Sequence, residues 1–345
     1  MSRVILVRLV HDLNSAFCLV IGGVLNILLI YLIRRKTSKE MTVYSRILLQ
    51  TCIIDLYVLT IGYLLQPIFF VNEGNSSHTW NGPIRSLFHP SEFTHFGLFC
   101  AWIVGGFLSS ASMTMQFVYR YLLLCRNITI SHFVYMLLII VPGAFCVVWM
   151  NLIFDVTSGN SPPTMKIYND SKFYYLLRES AKEEYVVVSL SDEKGSLTCI
   201  IGCMIMNAAF YLIIIASALR MKIFIRKQKE RMNAEKFKQM EQQMTYILAT
   251  QAFMPSISLA VHTFTLTCYV VFTESSVYFL MYLSVPVYWL PVFNPLATML
   301  IIRNYRNFIL APCRRRQNHG SKATLTANST TSSTLSMSSV RPAWQ

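Results

Sequence analysis

The sequence predicts an all-α membrane protein, a bundle of seven transmembrane helices with the N-terminus outside and the C-terminus inside. Two observations predict this fold. Seven apolar stretches are each long enough to cross a bilayer, which takes about 20 residues, and the basic residues between them concentrate on one side. The predicted spans are 13–33, 45–70, 96–124, 132–154, 197–219, 245–272 and 277–302.

The basic residues set the predicted orientation, because cytoplasmic loops retain Lys and Arg. Most of the 30 basic residues follow the first, third, fifth and seventh spans, whereas most of the 16 acidic residues lie in the other connections. The positive-inside bias and the attraction of these loops to anionic lipid account for the net charge of +14. We therefore expect a multi-pass plasma membrane protein, with no nucleic acid partner.

The first span and the glycosylation sequons agree with this topology. Residues 13–33 form too long an apolar stretch for a cleaved signal peptide and are predicted to be a signal anchor. Sequons occur at Asn75, Asn127, Asn169 and Asn328. The orientation places Asn75 and Asn169 outside, so these two are the predicted N-glycosylation sites.

The second outer connection, residues 155–196, is long and combines aromatic with acidic residues. It is either a lid over an extracellular pocket or a flexible glycosylated linker. Cys100 begins the third span, and Cys199 and Cys203 begin the fifth. A disulfide from Cys100 to Cys199 or Cys203 would tie this loop over the bundle, and the alternative is three buried thiols acting as small hydrophobes.

Two parts of the chain are distinguished. Residues 1–312 form the bundle, including a short membrane-proximal helix at 303–312, and residues 313–345 form a disordered cytoplasmic tail rich in Ser and Thr. Phosphorylation by a kinase would turn the tail into an acidic docking strip for arrestin. Cys313 precedes three arginines and is either a palmitoylation site beside anionic lipid or an ordinary membrane-proximal cysteine.

The cytoplasmic segment 220–244 has no Pro or Gly and is predicted to extend the fifth and sixth spans as helices. It is either a binding surface for a cytosolic partner or a solvated helical face.

Polar residues inside spans are costly in lipid, so each calls for a partner or a cavity. Four stand out in the first, second, third and seventh spans: Asn26, Asp55, Ser109 and Asn294. We expect them to converge on one buried polar network.

Seven spans and the run FVYRYLLLC at the inner end of the third span resemble the G-protein-coupled receptors. Tyr119, Arg120 and Tyr121 stand where that family has Asp-Arg-Tyr, but the acidic member is missing. The resemblance implies that Arg120 contacts a heterotrimeric G protein. It also implies that the polar network binds a sodium ion at Asp55.

Two further motifs carry this resemblance. Phe253 and Pro255 are similar to the sixth-helix switch of the family, with Phe in place of its Trp. Asn294 and Pro295 begin the seventh-helix motif, with Thr298 at its Tyr position. These residues imply a shift between inactive and active bundles, with rotation about a kink at Pro255.

A closer resemblance is to the nematode chemoreceptors of the Str superfamily. Four strings carry it: KTSKEMTVYSRILLQT at 36–51, QFVYRY at 116–121, ILATQAFMP at 247–255 and PVFNPLATMLIIRNYRNFI at 291–309. Together they are most similar to serpentine receptor class delta, with class str second. The resemblance implies detection of an odorant or pheromone at the ciliated endings of sensory neurons.

The third span narrows the class of ligand. Trp102 stands 18 residues before Arg120, where amine receptors have an Asp, and the span has no acidic residue. A cationic amine would therefore lack its usual counter-ion. The predicted ligand-binding residues are Trp102, Phe107, His262, Tyr282, Tyr288 and Trp289. They suit a small, mostly apolar ligand oriented by one or two hydrogen bonds.

Two other classes of function compete with the receptor. A transporter would show an internal repeat with paired broken helices, and no convincing repeat is found. A ligand-gated channel of the insect odorant-receptor kind would have its N-terminus inside, which the basic residues oppose. No metal-spaced His and Cys set, nucleophile elbow or phosphate loop occurs, so neither an enzyme nor a metal site is expected.

Overall fold

A computed structural model describes residues 3–36, 42–72, 75–84, 92–128, 130–158, 187–189, 193–228, 281–282, 285–302 and 304–309. The helices are α1 (Arg3–Lys36), α2 (Thr42–Leu65), α3 (Glu92–Arg126), α4 (His132–Ser158), α5 (Glu193–Gln228) and α6 (Leu290–Ile301). A 3₁₀ turn, Val285–Trp289, leads into α6. Residues 304–309 are also helical and lie within the predicted membrane-proximal helix.

Four of these helices contain segments long and apolar enough to cross a membrane: Ile5–Lys36, Ser45–Leu65, Gly97–Arg126 and Ile201–Phe224. Phe133–Trp149 and Val285–Ile301 are shorter apolar helices. They correspond to the predicted fourth and seventh spans. The predicted sixth span, 245–272, and the tail from residue 313 lie outside the described residues.

The packing places α3 at the centre of the described bundle. It contacts α2, α4 and α5, while α1 packs against α2 and α6. One face of α1 is an exposed apolar stripe in which large side chains recur every three or four residues. Its members are Leu13, Phe17, Val20, Val24 and Ile27. Such a stripe is stable when lipid tails cover it.

A small antiparallel sheet caps one end of the bundle, a feature that an all-α fold does not include. Its strands are β1 (Pro67–Asn72), β2 (Asn75–Trp80) and β3 (Val187–Ser189), in the order β1-β2-β3. β1 and β2 form a hairpin with Pro67 opposite Trp80, and β3 adds to β2 with Ser189 opposite Ser77. We call this end of the bundle, where α2 ends and α3 begins, the sheet end. The opposite end is the far end.

The second predicted span is shorter than its hydropathy suggests. The apolar run continues to residue 70, but α2 ends at Leu65 and the chain turns into β1. Gln66 has a left-handed backbone with φ 44°, and Pro67 lacks the N–H that a continuing helix needs. Local backbone geometry therefore ends the helix while the sequence is still apolar.

Of the two disulfides considered, the one between Cys100 and Cys203 is not formed. Cys100 is buried in an apolar cluster with Trp80, Phe99 and Phe107, and Cys203 packs against the same cluster. The two sulfurs thus serve as small hydrophobic groups among aromatic rings. The side chain of Cys199 lies outside the described residues.

Candidate functional site

A buried polar pair joins α2 to α6 in the middle of the bundle. The side-chain amide of Asn294 donates to both carboxylate oxygens of Asp55, at 3.2 Å and 3.3 Å. Asp55 is 1 % exposed and Asn294 is 3 % exposed. Asn294 lies one residue before Pro295, inside α6, where the missing proline N–H already weakens the helix.

Asn26 connects α1 to the same region of α6. Its side-chain nitrogen donates to the carbonyl oxygens of Gly22 at 2.9 Å and of Pro291 at 3.0 Å. Pro291 lies about one turn before Asn294, so Asn26 holds the start of α6 next to the buried pair.

The predicted network is only partly assembled. In the described part of the chain, no hydrogen bond joins Ser109 to Asn26, Asp55 or Asn294, and Ser109 is half-buried. Ser112, one turn further along α3, is the serine that is almost completely buried. Spacing alone did not distinguish these two serines, because both lie in one run of small residues.

The predicted G-protein motif lies at the far end of α3. Arg120 is 3 % exposed, an unusual burial for a guanidinium group. Tyr119 is buried and packs edge-on against Tyr135 of α4, with ring centroids 5.8 Å apart. Tyr121 accepts a hydrogen bond from Nε of Arg126 at 3.3 Å. Tyr119 and Arg120 are therefore buried, whereas Tyr121 is half-buried.

Sequence reasoning missed a second polar contact near this motif. The side-chain amide of Gln116 donates to the hydroxyl of Thr51 at 2.7 Å, and that hydroxyl donates to the carbonyl of Ile47 at 3.1 Å. Gln116 and Thr51 are both buried. Gln116 lies one helical turn before Arg120. The sequence could have indicated this contact, because Gln116 is a polar residue inside an apolar span.

Trp102 and Phe107, two of the predicted ligand-binding residues, belong to one aromatic cluster at the sheet end. The ring of Trp102 packs against Phe69 of β1 at 5.3 Å between centroids. Phe107 packs edge-on against Phe210 of α5 at 6.5 Å. The hairpin therefore closes over this part of the predicted lining.

Tyr288 and Trp289, at the end of the 3₁₀ turn, form a second group that packs against α1 and α2. Tyr288 is buried with Cys18, Leu59 and Val292, and its hydroxyl has no hydrogen-bond partner among the described residues. The indole nitrogen of Trp289 donates to the side-chain oxygen of Asn14 at 2.9 Å. The structure thus divides the predicted lining into two groups rather than one.

Of the predicted residues not yet discussed, the structure describes Tyr282 and Asn75. Tyr282 is half-buried, and Asn75 begins β2 beside the hairpin turn. His262, Phe253, Pro255, Asn169 and Cys313 lie outside the described residues. Within the described ranges, no group of three His, Cys, Asp or Glu side chains is placed to hold a metal ion.

A set of polar contacts at the sheet end was not predicted. Nε2 of His11, which is fully buried, donates a hydrogen bond to the carbonyl of Met281 at 2.8 Å. The side-chain amide of Asn81 donates to Asp12 at 3.0 Å and to Gln66 at 2.9 Å. The available signal was a group of polar residues at the start of the first predicted span: His11, Asp12, Asn14 and Ser15.

Comparison with known families accounts for this architecture. Residues 13–311 match the family described as Serpentine type 7TM GPCR chemoreceptor Srd. The match spans most of the chain, and the chain belongs to this family of seven-transmembrane chemoreceptors. It agrees with the resemblance to class delta. A search of curated proteins finds no match to the chain.

Proposed function

We propose that this Srd-family receptor detects a small, mostly apolar odorant or pheromone and activates a heterotrimeric G protein. Membership of the family makes the chain a chemosensory receptor of the plasma membrane rather than a member of an enzyme family. The ligand class and the coupling are the proposed part. One observation carries it: a single helix, α3, bears Trp102 and Phe107 of the aromatic cluster at the sheet end and the buried Arg120 at the far end.

Helix α3 gives the two regions a direct mechanical link. Trp102 and Arg120 are 18 residues apart in sequence, which is about 27 Å along a helix. A helix transmits a shift or rotation at one end to the other, provided that its neighbours permit two arrangements. Ligand contact with Trp102 would therefore bias the packing around Arg120.

The aromatic residues at the sheet end support an apolar ligand with few polar contacts. Trp102 and Phe107 offer aromatic surface, and both belong to a cluster of mainly apolar side chains. In the second group, the buried hydroxyl of Tyr288 provides a hydrogen-bonding atom that no described residue satisfies. A buried hydroxyl without a partner costs free energy, and a hydrogen bond from a ligand would recover it.

The far end of the structure corresponds to an inactive arrangement under this proposal. Arg120 is 3 % exposed, so a G-protein segment cannot reach it before the bundle opens. An agonist would stabilise an opened bundle because it binds that state more tightly. Rotation of the sixth span at Pro255 is the proposed opening movement, since proline removes a helical hydrogen bond.

Asp55 is the proposed site of a sodium ion. Its carboxylate is buried in the middle of the bundle, where an isolated negative charge is costly. The side-chain oxygens of Asn26 and Asn294 are buried and have no partner among the described residues. Oxygen donors of this kind suit a hard cation, and together with the Asp55 carboxylate they would be the protein ligands of a sodium ion.

The proposal extends to the location of the receptor in the cell and to modification of its tail. We place the receptor in the cilium of a chemosensory neuron, where a ligand from outside would first meet the membrane. The Ser- and Thr-rich tail would be phosphorylated by a kinase and then bind arrestin. Cys313, if palmitoylated, would hold the start of the tail at the inner leaflet.

The test is second-messenger output from cells that express the chain and receive a panel of volatile and pheromone compounds. Arg120→Ala should abolish a dose-dependent response. Arg34→Ala is the matched control, because Arg34 is an exposed arginine in the last turn of α1, and this variant should keep the response. Both variants are compared at equal surface expression. A response that persists after removal of G proteins, above all an ionic current, would overturn the proposal.

A further inference from the structure

A surface with an aromatic and a cationic part lies at the far end, where α1 meets the short helix 304–309. Tyr305, which is 1 % exposed, anchors the short helix in a buried cluster with apolar side chains of α1. Outside this cluster, Tyr31 and Phe308 are both exposed, and their ring centroids are 6.5 Å apart. The ammonium group of Lys36 lies over the Phe308 ring, 4.8 Å from its centroid. Aromatic surface and a cation are therefore held side by side.

We propose that this surface binds an anionic phospholipid, with the phosphates of its headgroup on Arg35 and Lys36 and its acyl chains along α1. Arg35 lies one helical turn after Tyr31, and both basic side chains are exposed. An arginine binds phosphate through two parallel hydrogen bonds, and a lysine adds a compact positive charge. Asn304 lies one turn before Phe308 and is also exposed, so its amide is a further donor for a headgroup oxygen.

The exposed stripe of α1 provides the apolar part of the proposed site. It runs from Leu13 to Ile27, and Tyr31 continues it at the same spacing. Arg35 follows Tyr31 by four residues, so the stripe ends in a cation on the same face of the helix. A phospholipid has its parts in the same order, with acyl chains in the hydrocarbon region and phosphate at the boundary with water. The stripe and the basic residues therefore suit a lipid better than a soluble anion.

The charges of the described residues favour an anion at this end of the bundle. The described acidic residues lie at the sheet end or in the middle of the bundle: Asp12, Asp55, Glu92, Asp155 and Glu193. The far end instead has exposed basic side chains on α1, α2, α3 and α5. Among the described residues, no carboxylate therefore competes with a phosphate for Arg35 and Lys36. Basic clusters that directly follow a membrane-spanning helix are typical of binding to anionic lipid.

The Phe308 ring makes this a defined site rather than a diffuse attraction to the membrane surface. A cation held over an aromatic ring has lost part of its side-chain freedom before any lipid binds. Tyr305 fixes the short helix against α1, so the ring stays beside the end of the stripe. Groups that are preorganised in this way lose less entropy on binding. Phe308 is therefore a positioning residue for Lys36.

The experiment titrates the purified full chain in detergent micelles with phosphatidylinositol bisphosphate, phosphatidylserine or phosphatidylcholine of equal acyl length, and native mass spectrometry measures binding. We expect the affinity to rise with the negative charge of the headgroup. Arg35→Gln and Lys36→Gln should each weaken binding of the bisphosphate lipid about fivefold. Lys222→Gln is the matched control, because Lys222 is an exposed lysine near the end of α5, which packs against α3 and α4. This control should keep the parent affinity.

Two variants of Phe308 distinguish a defined site from general attraction between charges. Phe308→Ala should weaken binding of the bisphosphate lipid about threefold, whereas Phe308→Tyr keeps a ring under Lys36 and should keep the affinity. Soluble inositol trisphosphate has no acyl chains and should bind at least tenfold more weakly than the lipid.

The proposal is overturned if phosphatidylcholine or inositol trisphosphate binds as tightly as the bisphosphate lipid. It is also overturned if Phe308→Ala keeps the parent affinity, or if Lys222→Gln weakens binding as much as Lys36→Gln. All of the substituted side chains are exposed, so each variant should keep the thermal midpoint of the parent. Because neither an odorant nor a G protein takes part, these outcomes are independent of the signalling test.

Discussion

Asp55 is the residue whose burial most needs an explanation, since a carboxylate inside a membrane-spanning bundle is costly unless it is paired or neutralised. Asn294 donates to both of its oxygens, but a neutral amide leaves the charge in place. A bound sodium ion would neutralise it. We therefore expect the thermal midpoint of the purified chain to fall by about 2–4 °C when choline replaces sodium, equivalent to about 1 kcal/mol.

The matched variant is Asp55→Asn, which keeps an oxygen that can accept the hydrogen bond from Asn294 but removes the charge. Its thermal midpoint should be the same in sodium and in choline. Differential scanning fluorimetry of the two proteins in both salts measures the effect. A sodium dependence that persists in Asp55→Asn would place the cation elsewhere.

The contribution of the Gln116–Thr51 hydrogen bond to the free energy of unfolding can be measured with single substitutions. Both side chains are buried, and 2.7 Å separates the amide nitrogen from the hydroxyl oxygen. Thr51→Val leaves the Gln116 amide without this acceptor, so it should lower the stability by about 1–3 kcal/mol. Gln116→Met keeps the side-chain length, and its loss should be smaller.

A double-mutant cycle isolates the pair. With Gln116→Met already present, Thr51→Val should cost less by about 1 kcal/mol, because no amide is left unsatisfied. Reversible unfolding in mixed micelles provides the free energies. Strictly additive losses would show that the hydrogen bond does not couple α2 to α3.

At the scale of elements, the corner between α2, the hairpin and α3 should be the least tolerant of added atoms. Gly82→Ala would place a methyl group against backbone atoms of Leu64 and Leu65, so the turn must shift and the midpoint of unfolding should fall. Gly106→Ala is the control, because nothing lies within 4 Å of a Cβ there. Alanine also favours a helix over glycine, so this variant should be at least as stable as the parent in a thermal unfolding assay.

The end of α2, at the same corner, could not be predicted from the sequence. Hydropathy located the helices because an apolar run of about 20 residues has few alternatives in a membrane. It carried the second span to residue 70, since Phe69 and Phe70 are as apolar in a strand as in a helix. The end of α2 depends on the left-handed backbone of Gln66 and on pairing with β2, which are properties of the fold rather than of composition.

For the whole molecule, the order of the helices and the family could be predicted, but the grouping of the site residues could not. The contact between Asp55 and Asn294 was expected, because two costly polar groups in lipid stabilise each other. The contacts of Asn81 and of His11 were not, since they join the first helix to residues more than 60 positions away. Such contacts follow from how the connections fold back over the bundle.

The orientation of the whole bundle can be tested with two glycosylation sequons, one at each end of the bundle. Asn75 lies in the hairpin at the sheet end, whereas Asn127 directly follows α3 at the far end. Helix α3 has 35 residues and is about 52 Å long, so the two sequons are on opposite sides of the membrane. Glycan addition takes place on one side only. Each of the two asparagines therefore reports one orientation.

With the sheet end outside, Asn75→Gln should remove a glycan from the chain made in cells, and Asn127→Gln should change nothing. Asn169→Gln should remove a second glycan, because the positive-inside rule places that connection outside as well. The measurement is the mobility of the full chain on a gel before and after enzymatic deglycosylation. A glycan lost with Asn127→Gln would invert the bundle. It would then place the buried Arg120 outside, where no G protein could reach it, and the receptor mechanism would fail with the topology.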